Sequence, residues 1–293
     1  MTPLASGKHL GNRRRTFDPN RLHFSRFVNR STINVPSVPL DVSVSPIVVA
    51  NPWIVNGMFC NGPDPATVPV LMAAPFNLDQ ATAQSVAQGL GDCWRAAAVR
   101  RAALAAATVG KLLWTSYADA LKACLISYME TGWNPRNSAA TDQGTDPTEG
   151  DASMIKTGLL CSDGTYDKIG ATLAVNPKDL EEVYIAFNLA AGNATIGVNF
   201  PSAWESGSTW DQTNSPIVGG HEICATSNLL VTPRGIKIRS WGEEKDITEA
   251  GLAQMGQDVT INIGVDQLGP GKINISGFDN DALIAALKAQ GAS

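Results

Sequence analysis

Cys93 and His221 are the two side chains of this 293-residue sequence best suited by type and setting to covalent chemistry. A cysteine attacks as the thiolate. The start of a helix, with unsatisfied N–H groups and the positive end of the dipole, favours that anion. Cys93 stands at such a start: Gly89-Leu90-Gly91-Asp92-Cys93-Trp94 opens an alanine-rich stretch running to Thr108. Gly89 and Gly91 permit a tight turn and close approach of a carbonyl, whose developing oxyanion the Cys93 N–H could meet. Read alone, Cys93 is equally a buried structural cysteine. His221, in Gly219-Gly220-His221-Glu222-Ile223, is equally a satisfied core residue. Together they offer more: the other two histidines, His9 and His23, lie in a basic N-terminal segment, which leaves His221 as the imidazole expected in the folded body. A nucleophilic cysteine needs a base that reaches its thiol and a third group that orients the base.

The elements that would hold these residues follow from composition and periodicity. Ala96 to Thr108 predicts a closely packed, mostly buried helix. A second helix is expected over Tyr117–Thr131, a short one near Asp151–Thr157 and another over Leu180–Leu189, with Glu181 and Glu182 in its first turn. Strands are expected at Thr195–Phe200, Glu222–Ala225, Asn228–Thr232, Gly235–Ser240, Val259–Val265 and Lys272–Ser276. A last amphipathic helix covers Asp279–Gln290. Alternation at Val42-Ser43-Val44-Ser45 is a short strand signal, but prolines crowd residues 32–80, which predicts an extended segment draped over the body. Helices first and strands later give an α+β architecture. The domain reading is a basic, proline-rich arm over residues 1–62 and an α+β domain over 63–293. That domain has a helical half at about 81–190, a β half at about 194–276 and a C-terminal helix at about 279–291.

Net charge is −5, yet residues 1–31 carry seven basic residues against Asp18 alone. A basic arm on an acidic body points to partners: a neighbouring subunit, the chain's own body or, on weaker grounds because stacking aromatics are not interleaved, nucleic acid. Five cysteines form no C-x-x-C pair and no zinc spacing, and the odd number fits a fold that does not depend on disulfides. The acidic loop around Asp142, Asp146, Glu149 and Asp151 lacks calcium-loop spacing and reads as solvated. No cofactor motif is present, so none is expected. No apolar run reaches bilayer length and the start lacks a signal-peptide core, so a non-secreted product without a membrane partner is expected.

The order of the short motifs resembles that of papain-like cysteine peptidases. Gln88-Gly89 with Cys93-Trp94 comes first, then Gly220-His221-Glu222-Ile223, then Ser240-Trp241-Gly242. It is similar in more detail to divergent papain-like proteins of tailed bacteriophages and bacteria, through Leu90-Gly91-Asp92-Cys93, through Tyr128, Thr131 and Gly132, through Asp142 and Gly144, and through Gly219-Gly220-His221. The resemblance spans about residues 63 to 255. It implies a papain-like fold in which the cysteine helix faces a β half, with Cys93 as nucleophile and His221 as acid/base partner. It further implies Gln88 as an oxyanion donor and Trp241 as a shield over the histidine's hydrogen bond. Two positions depart from the pattern. Gln88 is one residue nearer the cysteine than the family spacing. Arg239 stands where the family has the asparagine that orients the histidine, and an arginine cannot accept a hydrogen bond from imidazole. That argues for reduced or lost activity unless another group, Asn228 or Glu222, takes the orienting part.

Three expectations result. The first is a cysteine peptidase or amidase acting on a peptide or protein. The second is a virion structural protein on the same scaffold, its N-terminal arm binding neighbouring subunits. The third makes residues 1–80 an inhibitory pro-segment lying across the cleft. The expected setting is a virion or the host bacterial cytoplasm.

Overall fold

The computed structural model of the protein describes residues 10–11, 21–28, 30, 45–190, 194–230, 234–265 and 278–289. The chain first builds a helical half. Short helices α1 (Pro46–Ala50), α2 (Trp53–Asn56), α3 (Thr67–Met72) and α4 (Gln80–Val86) lead to the long α5 (Cys93–Thr108) and α6 (Tyr117–Met129), followed by α7 (Ser138–Thr141) and α8 (Pro147–Lys156). A small hairpin, β1 (Leu159–Leu160) with β2 (Tyr166–Asp167), precedes β3 (Ile169–Val175) and α9 (Leu180–Ala190). Next come β4 (Ala194–Pro201), β5 (Thr209–Trp210), β6 (Ile217–Leu230), β7 (Gly235–Ser240), β8 (Glu243–Thr248), α10 (Glu249–Met255), β9 (Gly256–Gly264) and α11 (Asn280–Ala289).

Among the described residues the main sheet has seven strands in the order β3-β9-β4-β6-β7-β8-β5. All neighbours are antiparallel except the parallel pair β5·β8. Two cores result. One lies among the helices, around Ile54, Phe59, Leu71, Val99, Leu121 and Trp114; the other lies on the sheet, around Val183, Ile196, Phe200, Ile238 and Val259. Helix α5 packs against β6, and Cys224 of that strand joins the helical core. The alanines of α5 permit this close approach. The helix is buried on nearly every side, including Arg95, Arg100 and Arg101.

Several expectations are corrected. Residues 46–72 are not draped over the body. This stretch buries Ile54, Phe59 and Leu71 completely, each worth roughly 1.5–3 kcal/mol of apolar burial. The helical core therefore begins before residue 63. The helical half also ends earlier than 190, because β3 enters the sheet and α9 packs on it. Within the basic arm, Leu22, Phe24 and Phe27 are buried in the sheet core, where Phe24 stacks on Phe278. Strands β3 and β8 were not anticipated; β8 reads Glu-Glu-Lys-Asp-Ile-Thr, too polar to signal a strand. The expected strands at Val42–Ser45 and Lys272–Ser276 lie outside the described residues except Ser45, the residue before α1.

Candidate active site

Cys93 is the first residue of α5 and is fully buried. Its sulfur meets two backbone donors. Gly11 N–H points at Sγ from 3.3 Å, and the N–H of Glu222, the residue after His221, also acts on it. Burial nevertheless pushes the thiol up to about 12, more than those two donors pull it down, with Glu222 and Asp92 adding negative charge nearby. With the sulfur covered, Cys93 is a neutral thiol.

His221 is fully buried on β6, opposite Val198 of β4. Its ring stacks on Trp241, centroids 4.2 Å apart and planes 10° apart, and meets the edge-on rings of Phe200 and Trp210. Nε2 stands 2.7 Å from Ser240 Oγ. Trp241 sits directly after that serine, and its ring lies over the His221 ring. Excluding water there lowers the local dielectric and strengthens the bond.

The turn that aims Trp241 is unusual. Ser240 pairs with Glu243, so Trp241 and Gly242 are the two central residues of a tight hairpin. Both have positive φ, 48° and 74°, as the preferred two-residue hairpin turn requires. Glycine adopts this freely; a tryptophan pays about 1–2 kcal/mol. The stacking on His221 is what that strain secures.

Ser240, one residue after the position that the family pattern gives to asparagine, is the side chain that meets His221 Nε2. Strand parity explains why Arg239 does not interfere. Arg239 precedes Ser240 on β7 and points to the other face, where Nη2 donates to Glu244 at 2.9 Å. Of the two alternatives for the orienting group, Glu222 is corrected: it is buried next to His221 on the same strand, so its side chain takes the opposite face, and its charge acts on Arg101 of α5. The Asn228 side chain lies outside the described residues. Gln88 is exposed, and its Nε2 donates to Gln84 O at 3.4 Å, so it is not turned toward Cys93. Arg95, two residues after Cys93, is buried, stacks over Trp94 and donates to Ser127 Oγ.

The other motif residues build the cleft walls. Asp142 accepts the Gly91 N–H through both carboxylate oxygens, at 3.0 and 3.1 Å, and accepts Tyr128 O–H at 2.6 Å. Gly144 N–H donates back to Tyr128 Oη at 3.0 Å. One carboxylate and one phenol thus tie the turn before Cys93 to the loop carrying Gly144 and Thr145. Asp92, between Gly91 and Cys93, is fully buried and accepts from Cys124 Sγ at 3.5 Å. Burial and neighbouring Asp142 raise it well above the carboxylate range.

A segment of the chain's own N-terminal arm lies in this cleft. Thr145 N–H donates to Gly11 O at 2.8 Å while Gly11 N–H faces the thiol. Leu10 is 4% exposed and seats its side chain on Gly219, two residues before His221.

No family model and no curated protein matches the sequence. Solved structures do match. One is xylellain, a cysteine protease from Xylella fastidiosa, 13% identical, with a TM-score of 0.57 over 90% of this chain and 99% of that one. Another is procathepsin B S9 from Trypanosoma congolense, 12% identical, with a TM-score of 0.50 over 88% of this chain and 87% of that one. At such identities the likeness is one of fold. The helix that begins at a cysteine and the sheet packed against it are, in this chain, the two halves of a papain-like α+β fold.

Proposed function

We propose that the protein is a latent cysteine peptidase, with Cys93 as nucleophile and His221 as general acid and base. The observation that carries this reading is the buried His221 ring, held by Ser240 beneath Trp241, on the strand whose next residue meets the Cys93 thiol. In the reaction, the imidazole takes the thiol proton and the sulfur attacks a peptide carbonyl carbon. The C–N bond breaks as the imidazolium returns the proton to the leaving amine. Water, deprotonated by the same imidazole, then cleaves the thioester and releases the acid. The Cys93 N–H at the helix start is the available oxyanion donor. Nothing in these steps requires a cofactor.

Latency follows from the Leu10-Gly11 segment, whose Gly11 lies against the thiol; burial keeps the sulfur protonated, although the Gly11 N–H by itself favours the thiolate. The amide presented to the sulfur offers its N–H. In a trans peptide the carbonyl oxygen points the other way, so the bound segment is held as an inhibitor. A removable inhibitory segment ends before residue 22, because Leu22, Phe24 and Phe27 already belong to the sheet core.

A structural role in a virion, with residues 1–62 reaching neighbouring subunits, draws less support. The described part of the arm is largely buried against the chain's own body. Alkylation separates the readings. Once the N-terminal segment is released by limited proteolysis, iodoacetamide is expected to label Cys93 ahead of the other four cysteines and to abolish cleavage of a peptide library. Labelling of Cys93 no faster than the others would overturn the peptidase reading.

A further inference from the structure

Gly11 is the one residue that fits where it lies. A Cβ placed on it would overlap the carbonyl of Gly91, and a Cβ on Gly144, across the slot, would overlap the Gly11 carbonyl. Both obstacles are backbone, so no side-chain rotamer relieves them. Neither wall can retreat alone, because Gly91 N–H, the Asp142 carboxylate, Tyr128 Oη and Gly144 N–H form one continuous brace. Gly144 has φ +75°, which a larger residue adopts only at a cost. Beside this slot the wall changes character. At Gly219 the missing side chain leaves a shallow seat filled by Leu10, whose Cδ1 would lie 2.8 Å from an added Cβ.

We propose that the cleft is a glycine-selective peptide site: it takes a chain with glycine over the Cys93 sulfur and a leucine-sized aliphatic residue next to it on Gly219. Leu10-Gly11 occupies that site in cis. The proposal rests on the peptidase reading for its substrate class, but the slot itself is a matter of backbone spacing. Alanine in place of glycine adds a methyl group with nowhere to go. Its exclusion is steric, and the accompanying loss of the Gly11 N–H to Sγ and Thr145 N–H to Gly11 O contacts removes the segment from the thiol.

The test uses the full-length chain. Gly11→Val and, independently, Leu10→Asp are expected to dislodge the segment and raise the rate of Cys93 alkylation by about tenfold or more, with unchanged thermal melting showing that each variant folds. In the dislodged Leu10→Asp protein, the hexapeptide Lys-His-Leu-Gly-Asn-Arg, residues 8–13 of this sequence, is then added as a protecting ligand. It should slow alkylation at least about tenfold more effectively than the same peptide with alanine for glycine. Equal protection by the two peptides, or no rise in alkylation for either variant, overturns the proposal. Selective protection without cleavage of any peptide would leave the slot standing and remove the peptidase reading.

Discussion

At the scale of single residues, the side chain that meets the His221 ring is the instructive one. A serine hydroxyl fixes an imidazole less firmly than a carboxamide oxygen, because it can accept from Nε2–H or donate to bare Nε2. The tautomer is therefore held by one reversible rotor under the Trp241 ring. Ser240→Ala is expected to lower kcat by about two- to tenfold, the equivalent of a net hydrogen bond of roughly 0.5–1.5 kcal/mol, and to move the basic limb of the pH–rate profile. Ser240→Thr should restore most of the loss. Unchanged kinetics in the alanine variant would show that the ring is oriented by its aromatic neighbours alone. Arg239→Asn, which puts the family residue at the family position, should leave activity within about twofold. Its side chain points away from His221 and its ion pair with Glu244 is partly exposed, which makes it worth little.

At the scale of elements, the helix that supplies the thiol and the loop that faces it are coupled by Tyr128 on α6. Removing its hydroxyl leaves a carboxylate oxygen and the Gly144 N–H short of a partner. Tyr128→Phe should therefore cost about 1–3 kcal/mol by denaturant titration, and it should loosen the slot, letting alanine-containing peptides protect Cys93 better than in the parent. Stability loss with unaltered selectivity would mean that the loop is held by other contacts. Among these elements β7 was fully legible in the sequence, since Gly235–Ser240 alternates and ends at a Trp-Gly turn. α5 was equally clear from its alanines. β8 was not, because a polar edge strand carries no hydrophobic period.

At the scale of the whole molecule, stability is linked to buried thiols. Burial raises Cys93 to about 12 and Cys224 to about 11, and also raises Cys60 and Cys124. In the unfolded chain these groups ionise near pH 8.5. The folded state keeps its protons longer, so the stability this confers is complete below that pH and is lost as pH rises toward 11 and 12. Denaturation midpoints should fall steadily above pH 9, and less steeply in Cys93→Ser. A flat profile across this window would show that the thiols are hydrated in solution.

The sequence by itself determined the chemistry available and most of the framework. A cysteine at a helix start, a Ser-Trp-Gly turn and an α-then-β order are local properties, set by residue type and period; the expectation that His221 is the one histidine of the folded body is corrected by His23, which pairs with Ala174 of β3 between the buried Leu22 and Phe24. Tertiary structure decided the rest. That Ser240 and not Arg239 faces His221 depends on strand parity and register. That Gln88 turns away, that residues 46–72 enter the core and that Leu10-Gly11 reaches the thiol are outcomes of packing between segments far apart in the chain. Such contacts leave no period to read: Gly11 is 82 residues from Cys93 and 134 from Thr145, and only the folded backbone brings them within a hydrogen bond of each other.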